Sequence, residues 1–69
     1  MEEVYEVTAS DFGVLYNGGS YYKASRAFRE SQEDSTGNTD SPFYGETITL
    51  KAIDPRRDTI LTLRQYCPE

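Results

Sequence analysis

Sixty-nine residues allow one small domain, and only thirteen of them are Val, Ile, Leu or Phe, close to the lower limit for a chain that folds alone. A single cysteine and no histidine exclude a disulfide framework and a four-ligand zinc site, and no window approaches the ~20 apolar residues that span a bilayer. Seven Lys plus Arg against twelve Asp plus Glu give a net charge of −5, which argues against a phosphate-binding surface and suits a plain soluble domain or a ligand for a basic one.

The chain opens Met1-Glu2-Glu3, the reverse of a basic leader. With the lone cysteine, this predicts a protein made and used in a reducing cytoplasm. Ordering 69 residues costs on the order of 100 kcal/mol at ~1.5 kcal/mol each, and burial by so short a chain barely offsets it. Self-association or a large partner would supply missing burial.

Val4 to Ala9 alternates with period two, with Tyr5, Val7 and Ala9 on one face and Val4, Glu6 and Thr8 on the other. After a Ser10-Asp11 turn, Phe12-Gly13-Val14-Leu15-Tyr16 is expected to return as the second strand of a hairpin, with Phe12, Val14 and Tyr16 on one side. Asn17-Gly18-Gly19-Ser20 then breaks the pattern: the glycines free the backbone for positive φ, and Ser20 is a good N-cap. A helix is predicted from about Tyr21 to Asp34, burying the stripe Tyr21, Ala24, Ala27, Phe28 and Ser31. Arg26/Glu30 and Arg29/Glu33 form (i, i+4) pairs in the weaker orientation.

Gly37 is expected to end the helix in left-handed geometry, and Pro42 prevents its resumption. The stretch over about 34–44 reads as a flexible polar loop, long for so small a domain, with Phe43 or Tyr44 folding back onto the core. Gly45 to Ile53 alternates again, with Ile48, Leu50 and Ala52 sharing a face. Asp54-Pro55-Arg56-Arg57-Asp58 is a turn, and Thr59 to Tyr66 is the last strand, whose inward face the alternation leaves open. The prediction is a single α+β domain over 1–69: a four-stranded antiparallel sheet with one helix packed on one face, in the order β-β-α-β-β.

The search for chemistry is brief. Without histidine the commonest general base and the Ser–His and Cys–His pairs are missing. The carboxylate pairs Glu2/Glu3, Glu33/Asp34 and Asp54/Asp58 are expected at a terminus, loop or turn, where solvated acids make poor catalysts. Asp34 to Asp40 lacks the spacing of a calcium loop, and Asn17-Gly18-Gly19-Ser20 reads as a tight turn rather than an anion site. Cys67 has acidic neighbours that disfavour its thiolate. The expectation is a protein that is not an enzyme, with no metal and no cofactor.

The predicted outward face of the helix carries Tyr22, Arg26, Arg29 and Glu33 on adjacent turns; Tyr and Arg are enriched at interface hot spots, though a solvated face has the same composition. Charge is segregated: residues 1–22 carry four acids and no base, 23–29 three bases, 30–46 five acids, and 47–69 come to +1. If Glu2, Glu3 and Glu6 met the acidic loop in space, one end would be electronegative and suited to a basic groove.

The pattern of a short strand pair, a "YYKASRAFRES" helix, a polar loop, "GETITLKAI" and a final strand resembles the small orphan proteins of phages and mobile elements, anti-CRISPR inhibitors among them. The resemblance covers the whole length as a pattern without a specific motif. It implies a protein that acts by occupying a surface on a larger host complex. With the small size, the missing catalytic groups and the Tyr/Arg face, the expectation is a non-enzymatic cytoplasmic protein of phage type that binds and inhibits a larger host protein or ribonucleoprotein complex. The residues expected to bind that partner are Tyr22, Arg26 and Arg29, supported by Glu33, Asp34 and Asp40. One alternative is a homodimeric structural or regulatory module pairing strand edges or the Ile53/Ile60 face. Another is nucleic-acid binding through Lys23, Arg26, Arg29, Arg56 and Arg57, which requires those bases on one surface.

Overall fold

A computed structural model describes residues 3–68. The order is β1 (Val4–Ala9), β2 (Gly13–Gly18), α1 (Tyr21–Gly37), β3 (Ile48–Asp54) and β4 (Thr59–Tyr66). All pairings are antiparallel, in the sheet order β2-β1-β3-β4, with α1 packed on one face. This is the predicted α+β architecture. Among the described residues no helix is long and apolar enough to cross a membrane.

The central strands obey the alternation read from the sequence. Val7 and Ala9 of β1 and Ile48 and Leu50 of β3 form one buried cluster with Ala24 and Phe28 of the helix, and Ala52 of β3 is buried in the same row. β1 pairs with β3 without interruption from Val4↔Ile53 to Ala9↔Ile48, so these side chains share the helix-facing side. Tyr5 continues the row toward the start of the helix, where its ring meets Tyr21 edge-on at a centroid distance of 5.5 Å.

Both edge strands depart from simple alternation, through a β-bulge at a leucine in each. Val7 lies opposite Tyr16 but Thr8 lies opposite Val14, leaving Leu15 as the extra residue of β2. Leu15 and Tyr16 therefore both pack on the core while Val14 is exposed on the other face. This corrects the expectation of a shared Phe12/Val14/Tyr16 face, since one inserted residue inverts everything beyond it. Phe12 lies exposed in the turn before β2 and packs edge-on against Phe43 at 5.6 Å; Phe43 also packs on the core, while Tyr44 stays exposed. In β4, Leu50 faces Arg64 but Lys51 faces Thr62, so Leu63 is the extra residue. The register puts Leu61, Arg64 and Tyr66 on the helix side and Ile60, Thr62 and Gln65 on the opposite side.

The helix begins as predicted, with the Ser20 side chain accepting a hydrogen bond from the Lys23 N–H at 3.2 Å. The glycines before it act otherwise than expected, because neither Gly18 nor Gly19 has positive φ. Gly18 is a matter of space: a Cβ there would lie 2.6 Å from the Tyr16 hydroxyl. At its far end the helix runs past Asp34 to Gly37, since tertiary contacts hold the last turn. Ser35 is buried and its Oγ donates to the Glu46 carbonyl at 2.8 Å, while the Gly45 N–H donates to the Ser35 carbonyl at 3.0 Å. Gly37 is an ordinary helical residue, and Asn38 follows in extended geometry with its N–H on the Asp34 carbonyl. The remainder of the predicted loop is a series of hydrogen-bonded turns, Ser41 N–H to Asn38 carbonyl, Tyr44 to Ser41 and Glu46 to Phe43.

One helix about 10 Å across can cover roughly two strands spaced ~4.8 Å apart. Here α1 lies over β1 and its neighbours β2 and β3 and reaches β4 at its last residue, Tyr66, whose hydroxyl hydrogen-bonds the Thr36 hydroxyl, leaving the start of β4 beside the helix rather than beneath it.

Candidate interaction surface

The buried stripe of α1 is Ala24, Phe28, Ser31 and Ser35, spaced at four, three and four residues. Tyr22, Arg26, Arg29 and Glu33 repeat at the same intervals on the opposite side, and all four are exposed. The small Ala24 and the serines let the helix sit close to the sheet, with Phe28 as the anchor, so the outer stripe stands on a fixed base. Tyr22 is the most solvent-exposed of the large hydrophobic side chains, at 73%.

Arg26 Nε lies 3.2 Å from a Glu30 carboxylate oxygen, closing one of the two expected (i, i+4) pairs; among the described residues no ion pair joins Arg29 to Glu33. Asp34 is half-buried beside this stripe. Asp40 is exposed in the turn after the helix, its N–H held by the Asn38 side-chain oxygen at 3.0 Å. The helix thus gathers Tyr22, Arg26, Arg29 and Glu33 on one face, with Asp34 at its flank and Asp40 beyond its end. Along it the charge changes from Lys23, Arg26 and Arg29 to Glu33 and Asp34.

The N-terminal acids do not join the acidic loop. Glu3 accepts a hydrogen bond from the Tyr5 hydroxyl at 3.0 Å near the start of α1, whereas Glu46 lies against Asp11 and Phe12 past the far end of β1. Six residues of strand separate the two by about 20 Å. Glu6 turns to the uncovered face of the sheet, 3.9 Å from Lys51 Nζ and 3.3 Å from Asn17 Nδ2. Glu2 lies outside the described residues. A single electronegative end built from these acids is therefore not assembled.

Arg56 and Arg57, at the tip of the β3–β4 hairpin, line a cleft of about 670 Å³ together with Glu3 and Asp54, and Arg57 Nε stands 3.9 Å from Asp54. One cation at the helix (Arg26), one at the hairpin tip (Arg57) and one on the uncovered sheet face (Lys51) thus each have a carboxylate beside them, a mixed rather than uniformly basic surface. Tyr5 is a perturbed titrating group: its hydrogen bond to Glu3 raises its pKa above the ordinary phenol value, and burial and the charges of Glu3 and Tyr21 add to the shift.

The Ile53/Ile60 face is among the alternatives read from the sequence, but that reading missed that β4 is exposed on both of its faces. Ile60 is 65% exposed on the uncovered face, in register with Ile53 and Val4, and Leu61 is 64% exposed on the helix side, in register with Ala52 and Tyr5. The signal was the ratio of one helix to four strands, which leaves a strand unroofed whatever its alternation. No protein family, curated protein or solved structure compared with this chain matches it.

Proposed function

We propose that this protein is a non-enzymatic binding protein that docks through the outer face of α1 on a larger host protein or ribonucleoprotein complex, and inhibits it by occupying its surface. The observation that carries this reading is the Tyr22–Arg26–Arg29–Glu33 stripe, exposed along its length and held from behind by the buried stripe. Tyr and Arg provide large contact area with polar specificity. The order of charge adds support. The first turn of α1 has no acid and its last turn no base, so Lys23 sits at the positive end of the helix dipole, and Glu33 and Asp34 sit toward its negative end. Each such placement costs about 0.3–1 kcal/mol. In a chain with so little burial, a face arranged against its own stability fits selection for something other than folding.

The complementary partner surface has an aromatic-lined pocket for Tyr22, carboxylates opposite Arg26 and Arg29, and a basic margin toward Glu33, Asp34 and Asp40. The test is to immobilise the protein and the variant Tyr22→Ala/Arg26→Ala/Arg29→Ala, show by thermal unfolding that both are folded, and compare capture from host lysate by mass spectrometry. A partner held by the parent chain and lost from the variant is the expected outcome. Equal capture of the same partner by both removes the helix face from the mechanism.

A further inference from the structure

We infer that β4 is the seam of a symmetric dimer, pairing antiparallel with β4 of a second copy so that the two sheets join into one of eight strands. This is independent of the role given to the helix face. Among the described residues β4 has no neighbour on its outer side, and at eight residues it is the longest strand. It contains no proline, and its only charge is Arg64. Edges of that kind are templates for further pairing unless blunted by charge, proline, a bulge or cover. The Leu63 bulge leaves Thr59 to Thr62 regularly paired to β3, and the contact of α1 with β4 is at Tyr66, the far end of the strand. The opposite edge, β2, is shorter and has glycine at both ends, while each edge strand carries one bulge.

Three features identify the occupant as a second copy. The first is apolar content: Ile60, Leu61 and Leu63 are three of only thirteen Val, Ile, Leu and Phe residues in the chain, yet all three are exposed, on both faces of one strand. A twofold axis at Leu61 sets Leu61 opposite its own counterpart, extending the Tyr5–Ala52–Leu61 row, and sets Ile60 opposite the partner's Thr62 with its own counterpart on the diagonal, at the end of the Val4–Ile53–Ile60 row. The second is charge. Antiparallel pairing sets the end of one strand against the start of the other, which places Arg64 near Asp58 of the partner copy, twice by symmetry; parallel pairing would set like against like. The third is that the acids lie mainly in residues 1–22 and 30–46, so the seam avoids most of the −5 charge that keeps copies apart. Since only β4 is used, the assembly closes at two copies.

The test is sedimentation of the full chain from micromolar to millimolar concentration, with amide hydrogen exchange at the two extremes. The expected result is a monomer–dimer equilibrium in which β4 amides gain protection as the dimer fills. Ile60→Thr/Leu61→Thr keeps β-branched residues in the strand but removes the apolar contact, and is expected to weaken the dimer about tenfold or more. Arg64→Glu sets an acid against Asp58 and is expected to weaken it as well, which keeps the test decisive if the first variant folds poorly. A monomer at every concentration, a dimer indifferent to both variants, or growth beyond two copies overturns the proposal. So does β4 protection that arises only on adding a different protein, which would assign the edge to a foreign strand.

Discussion

Oε1 of Glu46 accepts hydrogen bonds from the main-chain N–H groups of both Asp11 and Phe12, each at 2.8 Å, across a separation of 34 to 35 residues. One carboxylate oxygen thus organises the β1–β2 turn from the strand entry on the other side of β1. The backbone reinforces it, with the Ser10 N–H on the Thr47 carbonyl at 3.0 Å and the Thr47 N–H on the Ser10 hydroxyl at 3.2 Å. Glu46→Ala is expected to cost about 1–2 kcal/mol, because two N–H donors lose a charged acceptor. Glu46→Gln, which retains a neutral acceptor, should lose about half as much. Urea midpoints at unchanged m-value read both, and equal midpoints for parent and Glu46→Ala would count against the role.

The core is small enough for one truncation to unfold the chain. Leu50 is fully buried on the central strand β3 beside Val7 and Ile48. Leu50→Ala is expected to cost about 2–5 kcal/mol, against a total of about 3–10 kcal/mol for a chain of this length. Far-UV circular dichroism at 37 °C should show a largely unfolded population. Leu50→Met, nearly volume-conserving, should remain folded.

Two glycines give opposite signs. A Cβ at Gly13 or at Gly37 would meet no atom within 4 Å, so packing is silent at both. Gly13 has φ of +110°, a region L side chains rarely adopt, and Gly13→Ala is expected to destabilise by about 1–3 kcal/mol. Gly37 is helical, and Gly37→Ala is expected to stabilise by about 0.4–1 kcal/mol, mainly by restricting the unfolded chain. Thermal midpoints moving apart in these directions are the check.

The charge order of α1 predicts that Glu33→Lys stabilises the free protein by about 0.3–1 kcal/mol at low salt, by placing a cation toward the negative end of the helix dipole, and that added salt shrinks the gain. The same change should weaken partner capture. Greater stability with lost capture is the signature of a face arranged for binding, whereas unaltered capture would leave Glu33 without a role.

Tyr5 sets the expected alkaline behaviour. Its hydrogen bond to Glu3 raises the pKa in the folded state, so the folded chain holds the phenolic proton more tightly than the unfolded one. The resulting stability is fully present below the unfolded value of about 10 and is lost as pH rises through the raised folded value. Tyr5→Phe keeps the ring against Tyr21 but has no proton to lose. Stability differences between parent and Tyr5→Phe, measured from pH about 8 to about 11, should therefore narrow or reverse at the upper end; parallel curves would refute the linkage.

Local chemistry was enough to read the element order, the helix-facing residues of β1 and β3, the Ser20 cap and Ala24, Phe28 and Ser31 of the buried stripe of α1. Each rests on a period, a cap or a turn that neighbours in the chain create by themselves. Tyr21, expected inward, is instead 48% exposed, and Ser35 extends the stripe. The stripe of Tyr22, Arg26, Arg29 and Glu33 was equally legible, because a buried helical stripe fixes its opposite. The two bulges were not, since whether Leu15 or Leu63 is paired or extra depends on where the facing strand places its own groups, and each choice inverts the faces beyond it. The last helical turn needed Ser35 to find the Glu46 carbonyl, and the separation of Glu3 from the acidic loop needed the direction of β1. Above all, the exposure of β4 belongs to no residue of β4: it follows from the width of one helix laid over β1 and its neighbours in a sheet of four strands, a fact of assembly in three dimensions rather than of sequence.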